Sequence, residues 1–428
     1  MFKKIICFLI ASPALFLLVN KFPYLLITSV LIVMFLAIIF FLYKKTINPY
    51  CFRILGLLLI IFIYFILSYF FSGQTLSNLF RYNFLKYDGN FFFCYILFFG
   101  LAIPYFNYEK ASQLYFKYIF FSFSLFSIVG LIEYFGDLPS FLVSTDDIAA
   151  GKVFLALNFA HNATGSVYAI VSLFALVFFL KEKKKNLKII YLLILIICLV
   201  GLFITKSRGS YIGFMLGVMF VLWMHYRSFL KFLIIMGLFV LASLPIFLLT
   251  GGYERFLQIF EFSGTTTLRF MLWGKAWSLF SKSPLLGVGF GRFDDIFLSY
   301  SPENLMGFDG LLSLNLEPNY IFSSSHAHNS YFQFLAETGI IGLVLLIIFW
   351  VLCFRIIFSA YLRTDNDYRK KIYLSGLTSI VTLLILSLTE NYLSATTAMI
   401  CVSMIVSLSI GVAWQDSYYK IEVEPNER

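Results

Sequence analysis

Apolar segments long enough to cross a lipid bilayer follow one another along nearly the whole chain, and no other feature constrains the fold as strongly. A membrane-spanning helix needs roughly 20 mainly apolar residues. The sequence therefore predicts an all-α fold, a polytopic membrane helical bundle of about twelve transmembrane helices. The predicted spans lie near residues 5–19, 22–43, 52–72, 90–106, 116–135, 162–180, 188–205, 210–224, 229–250, 331–358, 372–391 and 393–414.

The composition excludes a water-soluble globule. Hydrophobic residues make up 61% of the 428 residues and charged residues 13%, whereas soluble domains average about 45–50% and about 25%. A soluble fold could not cover so much apolar surface with so few charges, but lipid solvates the outside of a membrane helix. We therefore expect one integral membrane domain over residues 1–428, in which residues 251–330 form the largest loop.

The chain begins with two lysines followed by a short apolar segment, which is how a secretory signal peptide also begins. No small-residue cleavage site follows, and residues 20–23 lead directly into the next apolar segment. We therefore expect residues 5–19 to be retained as the first helix.

The basic residues predict the orientation of the bundle. If the N-terminus is cytoplasmic, 21 of the 32 lysines and arginines fall on the cytoplasmic side, but only 8 of the 22 acidic residues do. The loop at residues 181–188 alone carries five positive charges. Because cytoplasmic loops are enriched in Lys and Arg, both termini are expected in the cytoplasm. The long loop 251–330 is then on the outer face, as are three of the four histidines, His161, His326 and His328.

A first polar cluster, residues 205–210 (TKSRGS), lies at the outer junction of two predicted spans. An arginine at a membrane boundary is costly unless its side chain reaches the headgroup layer or meets an anion. This charge is on the side that the positive-inside rule disfavours. Gly209 and the neighbouring hydroxyl groups would let a phosphate approach Arg208. On this motif alone, a snorkelling charge and a phosphate ligand are equal alternatives.

A second cluster begins with three threonines at residues 265–267, a pattern that starts a helix. Arg269, Trp273 and Trp277 recur at four-residue spacing and should share one face of that helix. Tryptophans on such a face suit the headgroup layer of a membrane, with the guanidinium group beside them. The helix is predicted to end in a glycine-rich turn at residues 283–291, which follows no strand and is therefore a poor dinucleotide site.

A third cluster, residues 325–330 (SHAHNS), comes just before an apolar helix. A His-x-His pair is compatible with zinc, but two ligands do not make a site, and no further metal-binding motif accompanies them. All six cysteines lie in or beside apolar segments, so no disulfide framework or cysteine metal site is predicted. An imidazole that titrates near neutrality suits a general base. Because two arginines reach the same face, we favour a catalytic role for this histidine pair over a structural one.

Two weaker candidates lie on the same face. Glu390, at the outer end of a helix, would pair with an arginine or orient a sugar hydroxyl, and a plain salt bridge is an equal alternative. His161 and Asn162 open another helix from the outside, where they would bind a substrate or simply cap the helix.

Four motifs in order resemble the O-antigen ligase and polymerase superfamily. They are Lys206-Ser207-Arg208-Gly209, Leu268-Arg269 with Trp273, Ser283-Pro284-Leu285-Leu286-Gly287-Val288-Gly289, and His326-Ala327-His328-Asn329 with Glu337-Thr338-Gly339-Ile340-Ile341-Gly342. The motifs fall within residues 200–350, and the order of elements agrees across nearly the whole chain. Each motif alone is weak evidence, whereas four in order with a long outer loop between them are specific.

The resemblance implies a bacterial inner-membrane glycosyltransferase of the C type, which takes a glycan from undecaprenyl diphosphate at the periplasmic face and inverts its anomeric configuration. In that family two motif arginines bind the diphosphate, which implies this role for Arg208 and Arg269. The histidine before asparagine is the proposed base, which implies this role for His328. An acidic residue of the family corresponds to Glu390. The residues expected to contact substrate also include His326, Asn329, His161 and Asn162.

The implied partners are the lipid-linked glycan donor, membrane lipids and an acceptor hydroxyl, with no metal, cofactor or nucleic acid. The acceptor is lipid A-core if the protein is an O-antigen ligase, the interpretation that we favour. It is a growing glycan if the protein is an O-antigen or capsular polysaccharide polymerase. The net charge of +10 does not indicate nucleic-acid binding, because the basic residues cluster at helix ends.

A rival interpretation from another class is a transporter or flippase of lipid-linked sugars. It would need charged residues inside the spans and internal repeat symmetry, and the sequence shows neither clearly. A structural scaffold would leave the outer arginines and histidines without a role.

Overall fold

The computed structural model describes residues 49–73, 95, 109–136, 161–226, 228–249, 264–293 and 326–423. Within these residues the chain forms ten α-helices and no strand, so the all-α prediction is confirmed. The helices are α1 (Pro49–Phe71), α2 (Glu109–Phe135), α3 (His161–Lys181), α4 (Lys185–Ile204), α5 (Arg208–Tyr226), α6 (Phe229–Leu249), α7 (Gly264–Lys282), α8 (Ser330–Arg363), α9 (Asp367–Leu386) and α10 (Thr396–Val423).

Six of the described helices, α1 to α5 and α8, are long and apolar enough to cross a membrane. The protein is therefore a multi-pass membrane protein, but the count of twelve spans is not confirmed. The predicted spans at 5–19, 22–43 and 90–106 lie outside the described residues, apart from Tyr95. The other nine predicted spans each coincide with a helix, although the boundaries differ by several residues.

Helix α9, the least apolar of the helices that match predicted spans, lies inside the bundle. Helix α9 carries buried hydroxyl residues, among them Ser375 and Thr378. Their hydroxyl groups donate to the carbonyls of Lys371 and Leu374 in the preceding turn, at 2.9 and 2.7 Å. Because α9 packs against α3, α5, α8 and α10, its polar side chains are shielded from lipid and satisfied internally.

The outer helices present apolar side chains to their surroundings. Leu59 and Ile63 of α1, Leu193 of α4 and Ile348 of α8 are all exposed. Such a surface would be a liability in water, whereas the acyl chains of a bilayer solvate it. The core helix α3 is buried without a break from Thr164 to Phe178.

Ion pairs tie one end of the bundle together, and we call it the lysine end. The Lys371 ammonium group lies 2.7 Å from the Glu182 carboxylate, and both side chains are nearly buried. Lys183 pairs with Asp367 beside them. Burial favours the neutral form of Glu182, but the hydrogen bond and charge of Lys371 and the backbone N–H groups of Lys183 and Lys184 together outweigh it, and the pKa of Glu182 is lowered. These pairs fix the connection between α3 and α4 against the start of α9.

Helix α8 is broken at Gly339, and its first part changes direction. Gly339 has φ 65° and ψ −171°, a conformation that glycine adopts readily. Helix α8 has 34 residues and α9 has 20, so a straight α8 would be about 20 Å longer at 1.5 Å per residue. Yet the Ser330 N–H donates to the Ser387 carbonyl, next to the last residue of α9, at 2.8 Å. The rim segment, Ser330–Thr338, therefore lies across the other end of the bundle, which we call the site end.

The glycine turn, residues 283–293, packs its backbone against this break. Ile340 N–H donates to the Pro284 carbonyl at 2.9 Å, and Gly289 N–H donates to the Glu337 carbonyl at 2.9 Å. A side chain at Gly287, which has φ 73°, would overlap the backbone of Glu337. The backbone N–H and carbonyl groups that lose their helix partners at the break thus form hydrogen bonds with the glycine turn instead. Irregular backbone within a membrane requires such partners inside the protein.

Candidate functional site

The carboxylate of Glu390 is the centre of a polar cluster at the site end. Its Oε1 atom lies 2.6 Å from His328 Nδ1, 3.0 Å from Asn162 Nδ2 and 3.3 Å from Arg269 Nη2. The Glu390 side chain is only 10% exposed. We call Glu390 and these three partners the Glu390 cluster. The fold thus brings together four of the residues that the sequence singled out, from four separate parts of the chain.

Backbone contacts hold Glu390 in the turn that follows α9. Ser330, the first residue of α8, donates its hydroxyl to the Glu390 carbonyl at 3.2 Å and accepts from Leu393 N–H at 3.1 Å. The start of α5 closes the turn from the other side, where a side chain at Gly209 would overlap Thr389. The position of Glu390 is therefore set by α5, α8 and α9 together.

Glu390 is ionised despite its burial. Burial alone would raise the pKa of Glu390, but the hydrogen bond from His328 and the charges of His328, His326 and Arg269 outweigh it and lower that pKa. An ionised carboxylate only accepts hydrogen bonds. The Nδ1 atom of His328 must therefore carry the hydrogen in this contact, and Nε2 is the ring nitrogen that takes no part in it.

The backbone around His328 is fixed in an unusual conformation. His328 has φ 49°, in the left-handed region that few residues other than glycine adopt. Asn329 caps α8, because its side chain accepts from Tyr331 N–H at 2.9 Å and Phe332 N–H at 3.1 Å. The same amide donates to the Leu388 carbonyl at 3.1 Å. These three bonds engage Asn329 within the protein, where it orients the backbone that carries His328.

His326 packs against the cluster without a hydrogen bond to its carboxylate. The rings of His326 and His328 are 4.2 Å apart, and His326 Nδ1 lies 3.8 Å from Glu390 Oε2. The same Nδ1 accepts a hydrogen bond from His328 N–H at 3.3 Å. Burial, with the positive charges of His328 and Arg269, lowers the pKa of His326 to about 4 against the attraction of Glu390. His326 is therefore a neutral ring near pH 7.

Helix α7 positions Arg269 through a small apolar core. Leu272, Ala276 and Leu279 pack with residues from the glycine turn, the histidine motif and the rim segment, namely Phe293, Ala327 and Ala336. Trp273 stacks on Phe332 at 5.6 Å, whereas Trp277 is 46% exposed. The two tryptophans therefore do not serve together at a lipid surface, because the rim segment covers the first of them.

Two buried charged residues fix α7 against α8, and only the second of them, Glu337, belongs to a motif recognised in the sequence. Lys275 Nζ donates to the Phe293 carbonyl at 2.6 Å, and Glu337 Oε1 accepts from Phe293 N–H at 3.1 Å. Gln333 also donates to Glu337, at 2.7 Å. Both charged side chains are almost fully buried. The sequence signal for this arrangement is that Glu337 opens the last of the four motifs and has Gln333 four residues before it, on the same face of the helix.

Asn162 links the cluster to the start of α5. Its Oδ1 atom accepts from Ser207 Oγ at 2.9 Å, and its backbone carbonyl accepts from the Tyr392 hydroxyl at 2.6 Å. Arg208 is the first residue of α5 and follows Ser207 directly. His161 is the first residue of α3 and precedes Asn162. Both predicted residues thus lie beside the cluster, while Ser207 was missed as a link.

Three helix N-termini meet at the Glu390 cluster, those of α3, α5 and α8. Asn162 bonds both Ser207 and Glu390, and Ser330 bonds the Glu390 backbone. The N-terminus of a helix carries roughly half a positive charge and exposes unpaired N–H groups. Together with Arg208 and Arg269, these ends make the region strongly favourable to anions.

The cluster also contains a possible metal-ligand set, because ligand atoms of His326, His328 and Glu390 all lie within 4.8 Å of one another. The surroundings fit a proton-transfer site better than a cation site. Arg269 already lies 3.3 Å from the carboxylate oxygen that a cation would use. A divalent ion there would face the guanidinium group and three positive helix ends at short range.

Residues 193–347 match the family described as O-antigen ligase. No curated protein matches the sequence. The matched stretch contains Arg208, Arg269, His326 and His328, while Asn162 and Glu390 lie outside it and are brought to the same site by the fold. The match confirms the resemblance drawn from the motifs: this stretch is similar to the O-antigen ligase family, which supports a glycosyltransferase role of the ligase or polymerase type.

Proposed function

We propose that the protein transfers a glycan from undecaprenyl diphosphate to an acceptor hydroxyl, with inversion at the anomeric carbon. The observation that carries this proposal is the 2.6 Å bond between His328 Nδ1 and the Glu390 carboxylate, next to the Arg269 guanidinium group. A base, a group that orients the base and a cation are thus in direct contact with one another through Glu390. Transfer to a hydroxyl with a diphosphate leaving group needs these three parts.

Diphosphate is a good leaving group once its growing negative charge is stabilised. Arg208 and Arg269 are the cations for this role, supported by the N-terminus of α5. Arginine binds phosphate oxygens through two parallel hydrogen bonds, and such bonds strengthen as the glycosidic bond breaks. Arg269 is about one quarter exposed, so part of its guanidinium group is accessible to a ligand while it contacts Glu390.

The acceptor hydroxyl must lose a proton as it attacks the anomeric carbon. His328 Nε2 takes this proton, because Glu390 holds the ring in the tautomer with hydrogen on Nδ1. The ionised Glu390 then stabilises the imidazolium ion that forms, as a buried carboxylate does beside other catalytic histidines. The proton leaves His328 when the acceptor product departs, which returns the ring to its neutral form.

The site end faces the periplasm in this proposal, and both chain termini are cytoplasmic in a bacterial inner membrane. The lysine end carries Lys183, Lys184 and Lys371 beside its acidic partners, which agrees with an excess of basic residues on the cytoplasmic side. The bilayer then holds the polyprenyl tail in place, so that the diphosphate and the acceptor meet in a fixed orientation.

For the acceptor we propose lipid A-core, so that the protein acts as an O-antigen ligase. The alternative in the same class is a polymerase that adds repeat units of O-antigen or capsular polysaccharide to a growing chain. Cell-surface polysaccharide from a deletion strain separates the two. Loss of long chains with lipid-linked polymer accumulating identifies a ligase, and core that carries a single repeat identifies a polymerase.

The direct test uses the full-length protein in lipid vesicles with a lipid-linked glycan and lipid A-core. We expect a new glycosidic linkage without ATP or added metal, and loss of transfer in His328→Ala. The matched control is His225→Ala, because His225 lies at the lysine end in the last turn of α5. If His328→Ala transfers the glycan at the wild-type rate, His328 is not the base. Movement of the glycan across the membrane with its linkage intact would identify a transporter instead.

A further inference from the structure

The tip of the glycine turn presents two leucines to the outside of the protein. Leu285 is 63% exposed and Leu286 is 54% exposed. Their backbone is tied down, because the Leu285 carbonyl accepts hydrogen bonds from Ile341 N–H and from the Tyr64 hydroxyl. We call Pro284, Leu285 and Leu286 the leucine tip. A rigid loop that holds two large apolar side chains outward must be covered by something apolar.

Helix α1 locates this tip relative to a membrane. Its apolar stretch runs from Arg53 to Phe71, about 28 Å at 1.5 Å per residue, which matches a hydrocarbon core of about 30 Å. The residue after α1, Ser72, is therefore near the membrane boundary at the site end. The last part of the glycine turn touches this point, because Arg292 Nη1 donates to the Ser72 carbonyl at 2.7 Å. The tip itself bonds Tyr64, which lies seven residues before Phe71, so the tip is on the membrane side of this boundary.

Helix α8 locates the tip independently. Its part after the break, Ile340–Arg363, is about 36 Å long at 1.5 Å per residue. That length spans the hydrocarbon core with a few ångströms to spare. The leucine tip bonds the first two residues of this part, through Pro284 to Ile340 and through Leu285 to Ile341. The tip therefore lies where α8 enters the membrane.

The leucine tip continues a surface that already faces lipid. Ile340, Ile341 and Val344 on α8 are all exposed apolar residues that begin at the contact with the tip. Lys282, the last residue of α7, is exposed and comes two residues before the tip. Leucines next to a lysine are typical of interfacial segments.

We infer that Leu285 and Leu286 insert into the bilayer leaflet at the site end and are covered there by phospholipid acyl chains. The insertion fixes the depth of the glycine turn and therefore of α7, which carries Arg269 toward the headgroup level. This inference concerns the bulk lipid and does not depend on the proposed transferase activity.

The test measures contact with lipid at Leu286 directly. Leu286→Cys is made in the full-length chain with its six native cysteines replaced, labelled with an environment-sensitive fluorophore and placed in vesicles of phosphatidylethanolamine and phosphatidylglycerol without any polyprenyl lipid. Two matched sites calibrate the result. Leu193→Cys lies on the exposed lipid-facing side of α4, and Lys184→Cys lies on the exposed connection between α3 and α4.

We expect phospholipids brominated near the top of the acyl chain to quench the label at Leu286 as strongly as the label at Leu193. Iodide in the aqueous phase should quench the label at Lys184 and leave the label at Leu286 unchanged. Quenching of the Leu286 label by iodide would place the tip in water and overturn the inference. Protection from both quenchers would show that protein covers the tip, either another segment of this chain or a second copy, and would overturn it as well.

Discussion

His328 and Glu390 are 62 residues apart in the chain and joined by a hydrogen bond of 2.6 Å between Nδ1 and Oε1. Each residue reaches this contact through a local constraint. The Asn329 cap and a left-handed φ aim the histidine, and the contacts of Ser330 fix the turn that carries the glutamate. The fold itself therefore holds the pair together, which is the arrangement in which a positioned base is most effective.

The first prediction concerns this pair. Glu390→Gln keeps the shape but removes the charge that stabilises a protonated His328, so we expect a loss of about 10²–10⁴-fold in kcat. The change in KM should be small, because the effect arises as the proton moves. Transfer of a labelled lipid-linked glycan in vesicles measures both constants. Asp367→Asn, an exposed carboxylate at the lysine end, is the control and should keep wild-type kinetics. Equal kcat in the two variants would contradict the role of Glu390.

The second prediction concerns the cations. Arg208→Ala and Arg269→Ala should each cost about 2.7–4 kcal/mol of transition-state stabilisation, by analogy with the loss of an oxyanion donor. Arg269→Lys should recover only part of the loss, since an ammonium group lacks the planar fork that binds two oxygens.

The measurement is kcat/KM for the lipid-linked donor, with Arg363→Ala as the control because that arginine is exposed at the end of α8. Removing Arg269 also takes a partner from buried Glu390, so thermal stability is measured in parallel. Unchanged kcat/KM in a folded Arg269→Ala protein would exclude Arg269 from the site.

The sequence was sufficient to predict the helices and the residue types at the site, because both depend on local patterns. Nine predicted spans recur as helices, and the motifs of Arg269 and His328 meet as expected. The partner of Glu390 was left undecided between an arginine and a sugar hydroxyl, since nothing local distinguishes them. The fold shows that the carboxylate serves an arginine, a histidine and Asn162 at once.

The break in α8 could not be predicted from local sequence patterns. Residues 331–358 read as one continuous apolar helix, and a glycine in such a segment is compatible with a straight helix. The break at Gly339 is stabilised by backbone hydrogen bonds with residues 284–289, which lie about 50 positions earlier in the chain. The roles of Lys275 and Glu337 could not be predicted for the same reason, because their common partner Phe293 lies outside both helices.

The third prediction tests Asn162 as the link between Glu390 and the start of α5. Asn162→Ala removes a donor to Glu390 and an acceptor for Ser207, so kcat should fall. Asn162→Asp should be worse, because a second carboxylate about 3 Å from the first forces the two to share a proton. Initial rates of transfer at pH 7 rank the variants. A faster aspartate variant would mean that Asn162 does not contact an ionised Glu390 in the working enzyme.

The fourth prediction is a pH dependence of stability that arises from His326. Its pKa falls from about 6.5 to about 4 on folding, because burial and the charges of His328 and Arg269 outweigh the attraction of Glu390. Between these two values the unfolded chain binds more protons than the folded protein, so stability must fall as the pH falls from 6.5 toward 4. The lowered pKa of Glu390 acts in the same direction, but only below its ordinary value near 4.5.

Thermal unfolding of the purified protein at several pH values measures this effect. His326→Asn removes the imidazole and should flatten the decrease between pH 6.5 and pH 5, while the decrease below pH 4.5 persists through Glu390. A decrease of the same size above pH 5 in both proteins would show that His326 does not cause it.

The fifth prediction concerns the break in α8. Gly339→Ala puts a side chain on a residue with φ 65° and drives it into the backbone of Leu285. The left-handed conformation alone costs about 1–3 kcal/mol, and the overlap must separate the glycine turn from α8. We therefore expect a lower Tm together with reduced transfer, because the same contact positions α7 and Arg269.

Gly237→Ala in α6 is the matched control, since nothing lies within 4 Å of its added carbon. An alanine in a helix interior gains about 0.5–1 kcal/mol over glycine, so Tm should stay constant or rise there. Equal Tm values for the two variants would mean that the glycine turn does not depend on the break for its position.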